Sequence, residues 1–290
     1  MENILSVLNK TTAFLQKHGV PNAKLDSQLL LSHGLGIKRM DLFLNFDRPL
    51  QEKELATLRP MVARRAKREP LQHILGNASF RGHEIKCDKR ALIPRQETEL
   101  IIDILSEKLK TSCKSSNPEN PGFILDVGTG TGALAVAAAL ELGVEVFACD
   151  VSEEALSLAK ENVDLHGLGD KVTLIRSDLL SALPSNSKFD ALLANLPYIP
   201  LADASALQPE VLNGDPHLAL FGGADGLELI RKLLNTCANY LKPNAPVLLE
   251  IASGQEKTLQ NESFAGLKFA ETIKDYSGQA RFVIFSKFPI

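Results

Sequence analysis

A short apolar run followed at once by three alternating glycines constrains this chain more than any other feature. The run is Phe123-Ile124-Leu125-Asp126-Val127, and the glycines stand in Gly128-Thr129-Gly130-Thr131-Gly132. Such a run is typical of a buried parallel strand. Glycines directly after a strand allow a tight turn and let a ligand approach the backbone closely. Because an Ala-rich helix is expected next, the sequence predicts a strand–turn–helix unit with a ligand at its turn.

The alternation of strands and helices continues towards the C-terminus. Further parallel strands are predicted at residues 144–149, 172–176, 189–194 and 245–251, and an antiparallel pair at 267–274 and 281–287. Helices are predicted at residues 152–166 and about 226–241, with Ser152 as a cap. This order indicates an α/β fold, with a mostly parallel seven-stranded, Rossmann-like sheet and helices on both of its faces.

The first part of the chain has a different pattern. Residues 1–75 are predicted to form a helical bundle, since apolar residues recur at steps of three and four. Pro60 predicts a kink or a break in its charged helix. Residues 76–95 predict a connecting β-hairpin, and residues 96–290 the domain that carries the sheet. Within that domain, residues 111–122 predict a solvated loop.

The net charge and the cysteines disfavour a nucleic-acid-binding protein and a metal-binding protein. The net charge of −3 predicts no direct nucleic-acid binding. The strongest positive run, Arg64-Arg65-Ala66-Lys67-Arg68, predicts a solvated helix face, or alternatively a docking face for an RNA-containing assembly or an acidic protein patch. The four cysteines lack metal-ligand spacing, which predicts reduced thiols in a cytoplasmic protein and no metal site. The N-terminus does not resemble a signal peptide, and no apolar run reaches membrane-spanning length.

Polar residues follow three of the predicted parallel strands, and the glycine turn follows the first. Asp150 follows the second strand, where it could accept hydrogen bonds from two ribose hydroxyls, and Asp178 follows the third, where it could accept from an adenine amino group. The alternatives are that Asp150 only starts a helix and that Asp178 is an ordinary turn acid. Asp126, before the glycines, is expected to fix the glycine turn. A dinucleotide site is disfavoured, because its motif is Gly-x-Gly-x-x-Gly.

The fourth strand leads into Asn195-Leu196-Pro197-Tyr198. The Asn side-chain carbonyl and a backbone carbonyl can accept hydrogen bonds, and the Tyr ring supplies a flat wall. Such a slot suits a planar group that bears an NH2. The alternative is a turn that only closes the strand. Since carboxyl ends of parallel strands share one sheet edge, we expect this slot beside the glycine turn and the acids.

Taken together, residues 123–198 resemble a class I S-adenosylmethionine-dependent methyltransferase. The Asn-x-Pro-Tyr element is similar to that of enzymes that methylate planar amide or exocyclic amino nitrogens. Nearly the full chain resembles the peptide chain release factor N5-glutamine methyltransferase (HemK/PrmC-type) family. The resemblance is carried by Glu69-Pro70-Leu71-Gln72-His73-Ile74-Leu75-Gly76, Leu92-Ile93-Pro94-Arg95-Gln96-Glu97-Thr98-Glu99, the glycine turn, and Ala219-Leu220-Phe221-Gly222-Gly223-Ala224-Asp225-Gly226-Leu227.

This resemblance implies a function and a set of site residues. It implies methylation of the glutamine of the release factor's Gly-Gly-Gln loop with S-adenosylmethionine, leaving S-adenosylhomocysteine, and an N-terminal domain that helps hold the release factor. Catalytic roles would fall on Asn195, Leu196, Pro197 and Tyr198. Cofactor binding would fall on Asp126, Gly128, Thr129, Gly130, Thr131, Gly132, Asp150, Asp178, Leu179 and Asn195.

Two departures from the family pattern keep other hypotheses open. Leu196 replaces a usual Pro, and Asn-Leu-Pro-Tyr also resembles rRNA adenine N6-dimethyltransferases. Asp215-Pro216 replaces a common Glu-Pro pair. The alternative that the Asn-Leu-Pro-Tyr spelling suggests is an adenine N6-methyltransferase acting on rRNA or DNA. A separate alternative, from another class of function, is a non-catalytic ribosome-associated binding protein that retains the cofactor fold. The long connection at residues 199–226 is a candidate loop for covering the substrate.

Overall fold

The computed structural model describes residues 2–112 and 122–288. The chain divides into two compact units. The first comprises Met1–Asn77 and Gln208–Gly214, and the second comprises Ala78–Leu207 and Asp215–Ile290. The expected division at 1–75, 76–95 and 96–290 therefore differs in two respects. Nearly all of the hairpin belongs to the second unit, and a short stretch from the 199–226 connection belongs to the first.

Five consecutive helices and one distant helix build the first unit. They are α1 (Ile4–Lys17), α2 (Ala23–Leu35), α3 (Arg39–Leu44), α4 (Glu52–Ala66), α5 (Leu71–Leu75) and α9 (Pro209–Gly214). Asn3 caps α1, because its side chain accepts a hydrogen bond from the Ser6 N–H. Two apolar clusters hold the helices together, with Leu31 and Leu58 in one and Leu30 and Met61 in the other. The predicted break at Pro60 is wrong, since α4 runs through it as one helix.

The basic run in α4 is an ion-pairing element of this unit. Arg65 is only 5% exposed, and its guanidinium donates to Asp26 Oδ2 at 2.7 Å and to Glu210 Oε1 at 2.9 Å. Arg68 pairs with the same Glu210 carboxylate, and Arg64 with Glu69. The expectation of a solvated face is therefore wrong for Arg65. An RNA-docking face is disfavoured too, because carboxylates neutralise three of the run's four cations.

The second unit begins with a hairpin and a helix. Strands β1 (Asn77–Phe80) and β2 (His83–Lys86) are joined by Arg81 and Gly82, which both have positive φ angles, of 52° and 79°. Two such residues match the right-handed twist of a tight hairpin. Helix α6 (Leu100–Ser112) follows the hairpin. The solvated loop predicted at residues 111–122 falls mostly on residues 113–121, which lie outside the described residues.

A seven-stranded sheet forms the centre of the second unit. Its strands are β3 (Phe123–Val127), β4 (Glu145–Asp150), β5 (Val172–Arg176), β6 (Ala191–Ala194), β7 (Pro246–Glu250), β8 (Leu267–Lys274) and β9 (Ala280–Lys287). The order across the sheet is β5-β4-β3-β6-β7-β9-β8. Strands β3 to β7 pair in parallel, whereas β9 pairs antiparallel with β7 and β8. The mostly parallel seven-stranded sheet expected from the sequence is thus confirmed.

Helices cover both faces of this sheet. They are α7 (Ala133–Leu142), α8 (Glu153–Leu165), α10 (Glu228–Cys237) and α11 (Glu256–Asn261), besides α6. Neighbouring residues of β3 point to opposite faces, so Ile124 joins the cluster with α6 and α7, and Leu125 joins the cluster with α10 and α11. Ser152 caps α8 as predicted, since its hydroxyl accepts from the Ala155 N–H. No helix in the two described ranges is long and apolar enough to cross a membrane.

The buried ion pair of the helical unit gives a first prediction. Replacing Asp26 by Ala leaves the Arg65 guanidinium buried with one carboxylate fewer, and we expect the free energy of unfolding to fall by about 3 kcal/mol. Urea unfolding monitored by circular dichroism measures this loss. Glu52→Ala is the matched control, because Glu52 pairs with Arg59 in solvent and its loss should leave the transition unchanged. Equal effects of the two substitutions would contradict a structural role for the Arg65 cluster.

Candidate active site

The glycine turn between β3 and α7 is built from backbone conformations that other residues adopt only with strain. Gly128, Gly130 and Gly132 have φ angles of 75°, 55° and 78°. A Cβ atom on Gly128 would lie 2.9 Å from Leu196 Cδ2, and one on Gly132 would lie 3.1 Å from Ala159 Cβ. The glycines therefore let the turn pack directly against the Asn-Leu-Pro-Tyr segment and against α8.

Asp126 is hydrogen-bonded to this turn through its side chain. Its carboxyl is fully buried, and Oδ2 accepts a hydrogen bond of 2.6 Å from the Thr129 hydroxyl. The pKa of Asp126 is raised to about 7, mainly by burial and in smaller part by the nearby Asp150 charge, while the Thr129 hydrogen bond opposes the shift. These contacts agree with a role in fixing the turn.

Asp150, the last residue of β4, faces the same turn. Its Oδ2 accepts from the Gly130 N–H at 2.9 Å, and its Oδ1 accepts from the Ser152 N–H at 2.9 Å. Burial raises the pKa of this carboxyl. The side chain thus both ties the turn and starts α8, and it also lies on a cavity wall. Each carboxylate oxygen has a second lone pair with which it can accept a ligand hydroxyl.

Asp178 and Leu179 come after β5 and line the same cavity. The Asp178 side chain is exposed. Leu179 has a φ angle of 50°, and its carbonyl accepts a hydrogen bond from Cys149 Sγ at 3.3 Å. A left-handed conformation at a non-glycine residue is uncommon, and such residues cluster at ligand sites.

Asn195 at the end of β6 is held by a buried hydrogen-bond network. Its Nδ2 donates to Thr98 Oγ1 at 3.1 Å, and the Thr98 hydroxyl donates to Glu250 Oε2 at 2.7 Å. The Tyr198 hydroxyl donates to Glu250 Oε1 at 3.0 Å. Thr98 lies in the short 3-10 turn Glu97–Glu99, and Glu250 is the last residue of β7. The network therefore joins three separate parts of the chain at one sheet edge.

Two acceptor atoms of this segment have no donor from the protein. Within the part of the chain that the structure describes, neither Asn195 Oδ1 nor the Leu196 carbonyl oxygen accepts a hydrogen bond. Both residues line the cavity. A buried or half-buried acceptor without a donor is costly unless water or a ligand supplies one. The pair is therefore suited to a ligand that brings two N–H groups.

The backbone of the Asn-Leu-Pro-Tyr segment is supported by a second glycine-rich stretch. A Cβ atom on Gly222 would lie 2.3 Å from the Pro197 carbonyl oxygen, and one on Gly226 would lie 2.1 Å from the Tyr198 carbonyl oxygen. The Tyr198 oxygen also accepts from Gln255 Nε2 at 2.9 Å. Part of the predicted covering loop at 199–226 is thus a packed support for the slot.

A cavity of about 370 Å³ brings these elements together at the carboxyl edge of the sheet. Its wall includes the predicted cofactor residues other than Asp126 and Gly132, which stand behind it. Of the predicted catalytic residues, Asn195, Leu196 and Pro197 line the cavity. Tyr198 is not part of its lining, because its hydroxyl is turned to Glu250. The Tyr198 hydroxyl thus makes a supporting contact, and a wall formed by the Tyr198 ring stays a prediction.

Comparison with known proteins finds two family models and several relatives that match this chain. A family model for the PrmC N-terminal domain matches residues 6–76, and one for a methyltransferase domain matches residues 124–213. The release factor glutamine methyltransferase of Geobacter sulfurreducens is 41% identical over 257 residues, covering 88% of this chain and 86% of that protein. Its counterpart in Deinococcus radiodurans is 39% identical and covers 96% of both chains.

The chain belongs to the release factor glutamine methyltransferase family. The chain also resembles a methyltransferase of known structure from Pyrococcus furiosus, with a TM-score of 0.51 and 20% identity over 72% of this chain and 90% of that one. That likeness shows the fold alone, which is the class I methyltransferase fold expected from the sequence. Neither the adenine N6-methyltransferase nor the non-catalytic alternative is favoured by these relatives.

Several residues of the site were not singled out by their sequence pattern. Thr98 stands in a family motif, but its spacing does not reveal that it meets Asn195. Glu250 has a visible signal, since it is a charged residue that ends an otherwise apolar strand and is only 1% exposed. Asp215 accepts from the Ile93 N–H at 3.2 Å and pairs with Arg95 at 2.6 Å, which holds Arg95 at the cavity wall.

The residues that the structure describes contain no centre for metal or thiol chemistry. Among the described residues, no group of three or more His, Cys, Asp or Glu side chains is arranged to hold a metal ion. Cys87, Cys149 and Cys237 are buried free thiols, and the fourth cysteine, Cys113, lies outside the described residues. Burial raises the pKa of each of these three thiols to about 12, so they remain protonated at neutral pH.

The close approach at Gly222 gives a second prediction. Gly222→Ala forces the Pro197 carbonyl to move, and we expect a loss of about 2 kcal/mol in the free energy of unfolding. Thermal or urea unfolding measures it. Gly169→Ala is the control, because a Cβ atom there meets open space. A stable Gly222→Ala protein whose Asn195 geometry is unchanged in a crystal structure would contradict the tight support described above.

The buried Asp126 carboxyl gives a third prediction. Because its pKa is about 7 when folded and ordinary when unfolded, the folded protein keeps a proton that the unfolded chain releases between about pH 4 and 7. Stability contributed by this group is present below that window and is lost as the pH rises through it. We expect Asp126→Asn to gain stability relative to wild type, by a few kcal/mol, across the same window. A pH-independent difference in denaturant midpoint would contradict this.

Proposed function

We propose that this protein transfers a methyl group from S-adenosylmethionine to the side-chain amide nitrogen, N5, of the glutamine in the Gly-Gly-Gln motif of peptide chain release factors. The observation that carries the proposal is the pair of free acceptors, Asn195 Oδ1 and the Leu196 carbonyl oxygen, at the cavity wall. A primary amide has two N–H donors, which match these two acceptors. Membership of the family supports glutamine as the amide.

The residues around the cavity fit S-adenosylmethionine as the methyl donor and S-adenosylhomocysteine as the product. The glycine turn leaves the backbone open to a ligand, since a Cβ on Gly130 would meet nothing closer than 3.9 Å. Asp150 offers two carboxylate oxygens to ribose hydroxyls, and Asp178 offers an acceptor to the adenine amino group. The volume of about 370 Å³ lies within the range of small-molecule sites.

The slot orients the amide nitrogen of the substrate towards the methyl donor. An amide nitrogen is weakly nucleophilic, because it shares its lone pair with its carbonyl. When bound, S-adenosylmethionine would supply a methyl group on a positively charged sulfur, and that sulfur would keep the carbon–sulfur electron pair when the methyl group passes to nitrogen. Asn195 Oδ1 and the Leu196 carbonyl orient the nitrogen and stabilise the positive charge that develops on it. The nitrogen then releases one proton to solvent, so the geometry requires no dedicated base.

The departure at Leu196 is compatible with this mechanism. The contribution of that residue to the slot is its backbone carbonyl, which leucine supplies as proline does. The leucine side chain is 5% exposed and packs towards Gly128. We therefore assign Leu196 a second task, which is to hold the slot against the glycine turn.

Partner and location complete the proposal. The release factor is the protein substrate, and the helical unit is the part proposed to help hold it. The cytoplasm is the proposed location, because buried free thiols persist in a reducing compartment.

Removal of the slot amide tests the function. We expect Asn195→Ala to lower methyl transfer to a purified release factor by about 10²-fold or more, since one preorganised acceptor is lost from the reacting nitrogen. Transfer is followed with labelled S-adenosylmethionine, and calorimetry should show cofactor affinity near that of wild type. Asn239→Ala is the control, because Asn239 is exposed and lies outside the site. Near-normal turnover of Asn195→Ala would contradict the proposed role of the slot in methyl transfer.

A further inference from the structure

Glu250 is a buried acid that the proposed methyl transfer does not use. It ends β7, is 1% exposed, and its two oxygens accept from two different hydroxyls. Burying a carboxylate is costly, and such groups are retained where they are fully hydrogen-bonded and specify an arrangement. The arrangement specified here includes Asn195, which is reached through a single intermediate, the Thr98 hydroxyl.

The donor and acceptor roles along this chain of atoms follow from chemistry. An ionised Glu250 only accepts, so the one hydroxyl proton of Thr98 is donated to Oε2. Thr98 Oγ1 then has only lone pairs to offer Asn195, and the Asn195 amide must present its NH2 to Thr98. The Asn195 carbonyl oxygen is thereby directed away from Thr98, as is required of an acceptor for the substrate N–H.

A proton on Glu250 reverses these roles. Protonated Oε2 would donate to Thr98 Oγ1, which frees the Thr98 hydroxyl proton to be donated to Asn195. The Asn195 amide meets that donor when it rotates so that Oδ1 faces Thr98 and the NH2 faces the slot. An NH2 there meets the N–H groups of a glutamine donor to donor, which is repulsive.

We propose that Glu250 and Thr98 are positioning residues, which fix the orientation of the Asn195 amide and so make the slot an acceptor of N–H groups. This inference rests on the proposed function. It extends that function to the choice between an amide and a carboxylate at the slot. A glutamate side chain in place of the substrate glutamine has only acceptor oxygens. The slot rejects it when Asn195 Oδ1 faces the slot, and tolerates it when the Asn195 amide is rotated so that its NH2 faces the slot.

Charged groups around the network set its response to pH. Burial raises the pKa of the Glu250 carboxyl, and Glu97 raises it as well, while the hydrogen bonds from Thr98 and Tyr198 and the charge of Arg281 lower it. Burial and the Glu250 charge raise the pKa of Tyr198, and Arg281 and Arg95 oppose this, so the Tyr198 hydroxyl keeps its proton. Methyl transfer should therefore fall with decreasing pH while Glu250 takes up its proton.

Three substitutions separate positioning from simple support. Thr98→Val keeps the volume but removes the hydroxyl, Thr98→Ser keeps the hydroxyl, and Glu250→Gln keeps the shape but cannot accept from both hydroxyls. In Glu250→Gln the amide oxygen satisfies Tyr198 and the NH2 faces Thr98, which reproduces the reversed chain. Thr236→Val is the matched control, because Thr236 is exposed on α10 and hydrogen-bonds only to its own helix.

The test measures kcat and KM for a purified release factor from low to neutral pH, together with cofactor affinity by calorimetry. We expect kcat to fall about 10- to 100-fold in Thr98→Val and Glu250→Gln, with cofactor affinity unchanged. Thr98→Ser and Thr236→Val should stay close to wild type. The acid limb of the wild-type pH profile should be absent in Glu250→Gln. A release factor with Gly-Gly-Glu in place of Gly-Gly-Gln should inhibit Glu250→Gln more strongly than it inhibits wild type.

The opposite results overturn the inference. They are equal kcat values for Thr98→Val and Thr98→Ser, or a wild-type acid limb and unchanged Gly-Gly-Glu inhibition in Glu250→Gln. If Thr98→Val does not fold, Glu250→Gln and Thr98→Ser decide by the same measurements. A wild-type protein that transfers no methyl group to release factors overturns the proposed function instead, and the inference with it.

Discussion

The pairing of β3 with β4 on one side and with β6 on the other is the constraint on which the site depends. In register, Val127 lies beside Cys149 and Ala194, so the glycine turn, Asp150 and Asn195 leave the sheet side by side. Parallel strands cannot be joined without crossovers, and helices therefore bury both faces, while the site lies at the carboxyl edge. At this edge the fold places the two halves of the proposed chemistry, a methyl donor and an amide, in one cavity.

Three buried or half-buried acids at that edge lower the stability of the folded state when they ionise. Asp126, Asp150 and Glu250 all have pKa values raised by burial, and each is retained with hydrogen-bond donors rather than with a directly bonded cation. Unpaired buried acids disfavour the folded state when they ionise. These destabilising acids stand at positions where a loop conformation or a side-chain orientation has to be fixed.

The sequence predicts the sheet, the order of strands and helices along the chain and some of the residues that line the cavity, because periodicity, glycine turns and strand-end acids are local signals. Contacts between distant parts of the chain leave no such signal. The meeting of Thr98, Asn195 and Glu250 is one example, and the approach of Gly222 to Pro197 is another. The burial of Arg65 was missed for the same reason, since its partner Glu210 is distant in sequence and comes from α9.

The slot after β6 is proposed to present a glutamine amide nitrogen to a methyl donor. Tandem mass spectrometry of a purified release factor, incubated with this protein and S-adenosylmethionine, locates the transferred group most directly. We expect the mass of one additional methyl group on the side-chain nitrogen of the glutamine in Gly-Gly-Gln. A methyl group on any other residue, or transfer to ribosomal RNA with an unmodified release factor, would contradict it.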